Sequence, residues 1–247
     1  MGIINLDKLP PYARAALAPF LEQLTSLYRE ELISVFAYGS VTGPDYNPHL
    51  SDINVGVVLK DVSLEKLRRV LPAVKKAMKS RVTAPLFLSP EYIKRSVDTF
   101  PIEFGSMRNT RLVLFGEDVL FGIDVKKEDL RRECEAQLKG RLVTVRQAYL
   151  EQAIERGGIE RVIKAAVKSI VPVLGGILMM KPGVAVPASK EKIVELVATE
   201  LKVDLSSLVA AIRDEKNDGK IAGKSAEQFL GEFLFQVEKL AEAVDKI

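Results

Sequence analysis

The pattern of apolar residues changes near Val125, and this change constrains the fold more than any other feature of the sequence. Before it, short β-rich runs alternate with stretches of helical periodicity, whereas nearly everything after it has helical periodicity. Strands and helices in alternation, followed by helices alone, are typical of an α/β domain joined to a helical one. We therefore expect residues 1–125 to form a mixed α/β (α+β) domain and residues 126–247 to form a helical bundle.

Strands and helices can be placed within the first half from its runs of apolar residues. Strands are predicted at four runs: 32–38, 53–59, 85–88 and 100–104. Helices are predicted at 12–31, from Asp61 or Ser63 to about Lys79, and as a turn that opens at Ser89-Pro90. Pro101 places the fourth run at a sheet edge or at the start of a strand, because proline cannot donate to a ladder.

The second half is expected to fold as helices, with a polar loop at 214–223. The predicted helices are 126–156, one that begins at 159, 189–202 and 225–247. The most membrane-like run, 162–180, is interrupted by Lys164 and Lys168, and its uncharged part is shorter than the roughly 20 residues that a span needs. We interpret it as a buried helix and expect no membrane partner.

Composition narrows the class of protein. The net charge is +3, from 36 basic and 33 acidic residues, and so small an excess gives no strong indication of nucleic-acid binding. The only cysteine, Cys134, excludes an internal disulfide and lies on the apolar side of a predicted helix, which favours a buried thiol. The N-terminus lacks the charged and apolar regions of a signal peptide, so a cytoplasmic protein is expected.

The segment 35–59 is where chemistry is expected. It runs from a strand through Gly39-Ser40 and a loop into a second strand that has an acidic start. Gly39 lets the backbone turn sharply, and free amides there, together with the Ser40 hydroxyl, are suited to phosphate. Asp52 and Asn54 are two residues apart on a strand, so their side chains share one face. A carboxylate there is suited to a magnesium ion that bridges protein and nucleotide.

This segment resembles the nucleotidyltransferase superfamily, which includes DNA polymerase β and the aminoglycoside nucleotidyltransferases. Their motif is a strand that ends in Gly-Ser, a loop of about ten residues, an Asp-x-Asp or Asp-x-Glu strand start and a third carboxylate on a later strand. Gly39-Ser40 and Asp52 match it, and Glu103 lies where the third carboxylate would fall. The run 111–120 is also similar to a segment that follows the core in the aminoglycoside enzymes.

The resemblance implies that a nucleoside monophosphate is transferred from a nucleoside triphosphate to a hydroxyl on an unknown small molecule or protein. Gly39 and Ser40 would hold phosphates, Asp52, Asn54 and Glu103 would ligate Mg2+, and Asp52 and Glu103 would be catalytic. The chain departs from the pattern at Asn54, where the family has a carboxylate, so the site has two formal negative charges instead of three. Weaker metal binding and weaker transfer are expected.

Alternatives remain open at this stage. The same fold can persist as a catalytically degenerate module that binds nucleotide or another protein, and a homodimer is left open. Glu103 can equally be a solvated edge residue, and Asp52 a residue that bonds a turn. Arg108 and Arg111 follow Glu103 closely enough to be considered as phosphate contacts, although most arginines are solvated.

Overall fold

The computed structural model describes residues 2–44, 46–216 and 225–247, and within these ranges a four-stranded mixed sheet carries the first half of the chain. Its strands are β1 (Leu32–Tyr38), β2 (Asn54–Leu59), β3 (Leu86–Leu88) and β4 (Leu112–Gly116), in the order β3-β2-β1-β4. β1 pairs antiparallel with both β2 and β4, whereas β3 is parallel to β2. The predicted strands at 32–38, 53–59 and 85–88 are therefore present.

Helices lie against both faces of this sheet. They are α1 (Pro11–Tyr28), α2 (Leu64–Met78), α3 (Pro90–Ser96) and α4 (Pro101–Thr110). Side chains alternate along a strand, so Val35 packs in a cluster with α1 and α2, while Phe36 packs in another with residues of α3 and α4. Two of these helices begin at serine caps, since Ser63 accepts from the Lys66 amide and Ser89 accepts from the Tyr92 amide.

The predicted strand at 100–104 is wrong, because this segment forms the start of α4. Pro101 stands at the first helical position, where its fixed φ and missing N–H are favourable. The Glu133 carboxylate accepts from the Ile102 amide at 2.9 Å and so satisfies a donor that the first turn leaves free. The fourth strand of the sheet is β4, whose residues were not predicted to be a strand.

The second half is helical. Its helices are α5 (Lys127–Gln152), α6 (Gly158–Met179), α7 (Lys190–Leu201), α8 (Ser206–Lys216) and α9 (Ala226–Asp245). α6 is long and apolar enough to cross a membrane by length and composition, but 61% of its most apolar window is buried by the protein, as in a core helix. α8 was not predicted and covers 214–216 of the expected polar loop, whereas 217–223 lies outside the described residues.

The chain divides into two compact units by its internal contacts. The first contains residues up to Thr99 together with Glu103–Asp124, and the second contains Phe100–Ile102 together with Val125–Ile247. The core of the second unit surrounds α6 and includes the Cys134 side chain, which is fully buried as expected. Together the mixed sheet with its helices and the bundle of the second unit give the α/β architecture that the sequence predicts.

The two ends of β4 are joined by an ion pair. Arg111, just before the strand, donates from Nε and Nη2 to the two carboxylate oxygens of Asp118, at 2.6 and 2.7 Å. The Arg111 guanidinium, together with the Leu120 and Phe121 amides, holds the pKa of the Asp118 carboxyl below its usual value. Arg111 is thus engaged in an ion pair within the first unit.

Asp118→Asn is therefore expected to lower the free energy of unfolding by about 1 kcal/mol at pH 7, since it removes a half-buried bidentate pair. The folded-state pKa of Asp118 is lowered, so the stabilisation is complete above its usual value near 3.8 and is lost as the pH falls through the lowered pKa. Urea unfolding at pH 7 and at pH 3 measures both. The loss of unfolding free energy in Asp118→Asn should be smaller at pH 3 than at pH 7. The control Asp98→Asn replaces an exposed carboxylate and should change the free energy of unfolding little at either pH.

Candidate functional site

The predicted turn after β1 is present and is tied to the end of α4. Residues Gly39–Thr42 form a short 3-10 turn, in which Gly39 has φ +79°. The Gly39 amide donates to the Thr110 hydroxyl at 3.0 Å, and the Thr42 hydroxyl donates to the carbonyls of Gly39 and Thr110 at 2.8 and 2.5 Å. The Gly39 amide is thus satisfied by Thr110, while the Ser40 side chain is exposed at the turn.

Strand pairing brings Asn54 to this turn. The antiparallel register places Tyr38 opposite Asn54, which begins β2. A Cβ on Gly39 would lie only 3.2 Å from the Asn54 side-chain nitrogen, so the turn and the Asn54 amide are in contact. The Asn54 Oδ1 atom accepts from the Thr83 hydroxyl at 3.1 Å. Asn54 therefore connects the turn to the segment that precedes β3, and its oxygen already has a donor.

Asp52 precedes β2 in an exposed position, with 61% of its side chain accessible. Its Oδ1 atom lies 3.4 Å from Nη2 of Arg81, a residue that the sequence analysis did not select. Arg81 lies 29 positions further along the chain, next to a bridge that pairs Ile53 with Val82. The sequence carries no signal for this contact, because it depends on how the segment before β3 docks against the start of β2.

Glu103 is the candidate that the structure places differently from the prediction. It lies in the first turn of α4 instead of on a strand, and its side chain is exposed. Over the ranges 2–44, 46–216 and 225–247, no group of three or more histidine, cysteine, aspartate or glutamate side chains is arranged to hold a metal ion. His49, on the loop before Asp52, is exposed and belongs to no such group.

These residues do not make a complete magnesium site. Of the three expected ligands, Asp52 offers a carboxylate that faces an arginine, and Asn54 offers an uncharged oxygen that already accepts a hydrogen bond. Magnesium favours six oxygen ligands and carboxylate charge. The available donor set brings one negative charge and is poorly suited to a resident divalent ion.

A separate cleft of about 990 Å3 opens elsewhere in the first unit. It is lined by the C-terminal end of α1, the turn at 29–31 and one side of α2, with Arg29 and Arg69 among several glutamates. Of these residues, the turn at 29–31 directly precedes β1, whereas the Gly39 turn follows that strand, so the two turns are separated by the length of a seven-residue strand, about 23 Å. The residues suited to phosphate lie at the Gly39 turn and do not line this cleft.

Comparison with known proteins shows the fold. No family model matches the chain, and no curated protein matches it. The structure is similar to spectinomycin adenyltransferase AAD(9) from Enterococcus faecialis, solved with ATP and spectinomycin, at a TM-score of 0.54 and 12% identity. The match covers 92% of this chain and 97% of the adenyltransferase. The chain thus has a nucleotidyltransferase-like fold over most of its length.

Gly39→Ala is expected to lower the free energy of unfolding by about 1–2 kcal/mol, because an L-residue is strained at positive φ. The added methyl group must also displace the Asn54 amide, which lies at 3.2 Å. Denaturant unfolding measures the loss. Gly43→Ala is the matched control, since Gly43 has φ −117° and an ordinary 3.7 Å contact, and it should be nearly neutral. Equal losses in the two variants would show that the turn does not depend on glycine.

Proposed function

We propose that the first unit binds a nucleoside triphosphate with its phosphates at the Gly39-Ser40 turn, and that nucleotidyl transfer by this chain is weak. The supporting observation is the contact of this turn with the start of β2, which brings Gly39 and Asn54 together. The adenyltransferase of similar fold was solved with ATP, which supports a nucleotide as the ligand here. A cytoplasmic location, where nucleotides are available, is part of the proposal.

The turn offers a suitable set of phosphate contacts. In a 3-10 helix each amide donates to the carbonyl three residues earlier, so first-turn amides have no acceptor inside the helix. The Gly39 amide has the Thr110 hydroxyl as its acceptor, and the Val41 amide lies three residues after the Tyr38 carbonyl, which leaves the Ser40 amide and the exposed Ser40 hydroxyl as the donors for a phosphate oxygen. Backbone amides in such a concave turn favour anions.

Weak transfer follows from the charges around this turn. Phosphoryl transfer by two magnesium ions depends on carboxylates that hold both ions about 3.5–4 Å apart. Asn54 contributes no charge, and Glu103 is an exposed residue of α4. Asp52 is left as the carboxylate at the strand start, with Arg81 beside it. The composition of the site therefore favours nucleotide binding over the transfer reaction.

Active magnesium-dependent transfer is the second candidate, and the likeness to an adenyltransferase favours it. In that case Asp52 would be the principal metal ligand, Asn54 a neutral one, and Glu103 the group that takes the proton of the acceptor hydroxyl. The acceptor would be a small molecule or a protein that carries a hydroxyl. Release of pyrophosphate on mixing the protein with ATP, Mg2+ and hydroxyl acceptors would favour this candidate.

Calorimetric titration with ATP tests the proposal, with Asn54→Asp as the variant that restores the family's carboxylate. Binding to the parent is expected. Without Mg2+ the introduced charge should repel Asp52 and the phosphates and weaken ATP binding, whereas with Mg2+ it supplies an anionic ligand and should tighten binding about tenfold.

Gln23→Glu is the matched control for this variant. It adds the same charge in the cleft before β1, away from the turn, and should bind ATP as the parent does. Absence of ATP binding to parent and variants alike, with and without Mg2+, would contradict the proposed function. If Gln23→Glu and Asn54→Asp changed the ATP affinity equally, the ATP site would not be at the Gly39 turn.

A further inference from the structure

The Arg81 guanidinium is held beside Asp52 by the backbone of the preceding loop. Nε donates to the Ser51 carbonyl at 3.2 Å, Nη1 to the His49 carbonyl at 2.9 Å and Nη2 to the Leu50 carbonyl at 2.9 Å. Nη2 also faces the Asp52 carboxylate at 3.4 Å. Because three consecutive carbonyls fix the guanidinium, its charge stays next to Asp52 whether or not that carboxylate binds it.

The main chain of Arg81 is fixed as well. Its carbonyl accepts from the Ile53 amide at 2.9 Å, and the Thr83 amide donates to the Ile53 carbonyl at 3.0 Å. The Thr83 hydroxyl then donates to the side-chain oxygen of Asn54, whose side-chain nitrogen lies against the Gly39 turn. Arg81 is therefore bonded to the start of β2, where Asn54 pairs with Tyr38 next to the proposed phosphate site.

A fixed arginine at this position opposes a divalent cation. A magnesium ion 2.0–2.1 Å from the Asp52 oxygen that faces Arg81 would lie within about 5.5 Å of the guanidinium nitrogen. Two like charges at that distance disfavour each other, and a guanidinium cannot lose its proton to relieve the repulsion. The same charge attracts phosphate and offsets the Asp52 carboxylate, which would otherwise repel it.

We propose that this site binds the triphosphate without a divalent metal, and that Arg81 supplies the positive charge that magnesium supplies in metal-dependent nucleotidyltransferases. This inference rests on the proposed nucleotide site and concerns how its charge is balanced. Arg81 acts as a positioning residue for the 49–52 backbone and as a fixed cation beside the phosphates.

The sign of the Asp52→Asn effect tests the inference. ATP binding is measured by calorimetry in EDTA and in Mg2+, at low ionic strength. The parent should bind ATP in EDTA within about threefold of its affinity in Mg2+. Asp52→Asn leaves the Arg81 charge uncompensated and should tighten binding in EDTA by about threefold or more. A site that uses Asp52 as a metal ligand would instead lose its magnesium-dependent affinity in this variant.

Two Arg81 variants separate charge from loop anchoring. Arg81→Lys keeps the positive charge but loses the guanidinium hydrogen bonds to the three loop carbonyls, whereas Arg81→Gln loses the charge. Arg81→Gln should weaken ATP binding in EDTA about tenfold and make it respond to Mg2+, while Arg81→Lys should retain most of the EDTA affinity. Melting temperatures identify any variant that fails to fold, and Asp52→Asn carries the test in that event.

The outcomes distinguish this inference from the function on which it rests. Two results would contradict metal-free binding but leave the nucleotide site in place. One is that the parent binds ATP only when Mg2+ is present, and the other is that Asp52→Asn weakens ATP binding in EDTA. No ATP binding to the parent in either EDTA or Mg2+ would overturn both.

Discussion

The antiparallel pairing of β1 with β2 is the constraint on which the candidate site depends. The register places Tyr38 opposite Asn54, so the turn after one strand and the start of the other meet at one edge of the sheet. Glycine is favoured there because its φ is positive and a Cβ would lie only 3.2 Å from the Asn54 side-chain nitrogen. A shift of this register by one residue would turn the Asn54 side chain to the other face of the sheet and remove its contact with the Gly39 turn.

The segment immediately before β2 is bonded by a residue remote in sequence. Arg81 bonds the backbone at 49–51, and the bridge between Ile53 and Val82 aligns the two segments. These bonds hold the backbone immediately before β2. The fold is nucleotidyltransferase-like, but the start of β2 carries one carboxylate and one arginine in place of the expected magnesium ligands.

The sequence predicts best those elements whose determining residues are close together in the chain. β1 was predicted with its observed bounds because 32–38 is rich in β-forming residues and is followed by Gly39-Ser40. α2 was predicted well because Ser63 caps it and its apolar residues recur at helical spacing. Gly39, Ser40, Asp52 and Asn54 could be selected for the same reason, since their spacing lies within one short segment.

The errors occur where local signals are ambiguous. The run at 100–104 is too short for its periodicity to separate a strand from a helix, and the carboxylate of Glu133 favours the helix from 31 residues away. Glu103 accordingly lies on α4 and not on the later strand where the resemblance would place a third carboxylate. Arg81 has no local signal at all, because its acceptors lie 29 to 32 residues earlier.

The central claim is that a nucleoside triphosphate binds at the turn after β1, and amide chemical-shift mapping with ATP in EDTA tests it most directly. The account predicts that the amides of residues 39–42, 49–54 and 81–83 shift as ATP is added, because these segments form one bonded network. Shifts confined to the cleft at 22–31 and 69–73, or none across the chain, would contradict it.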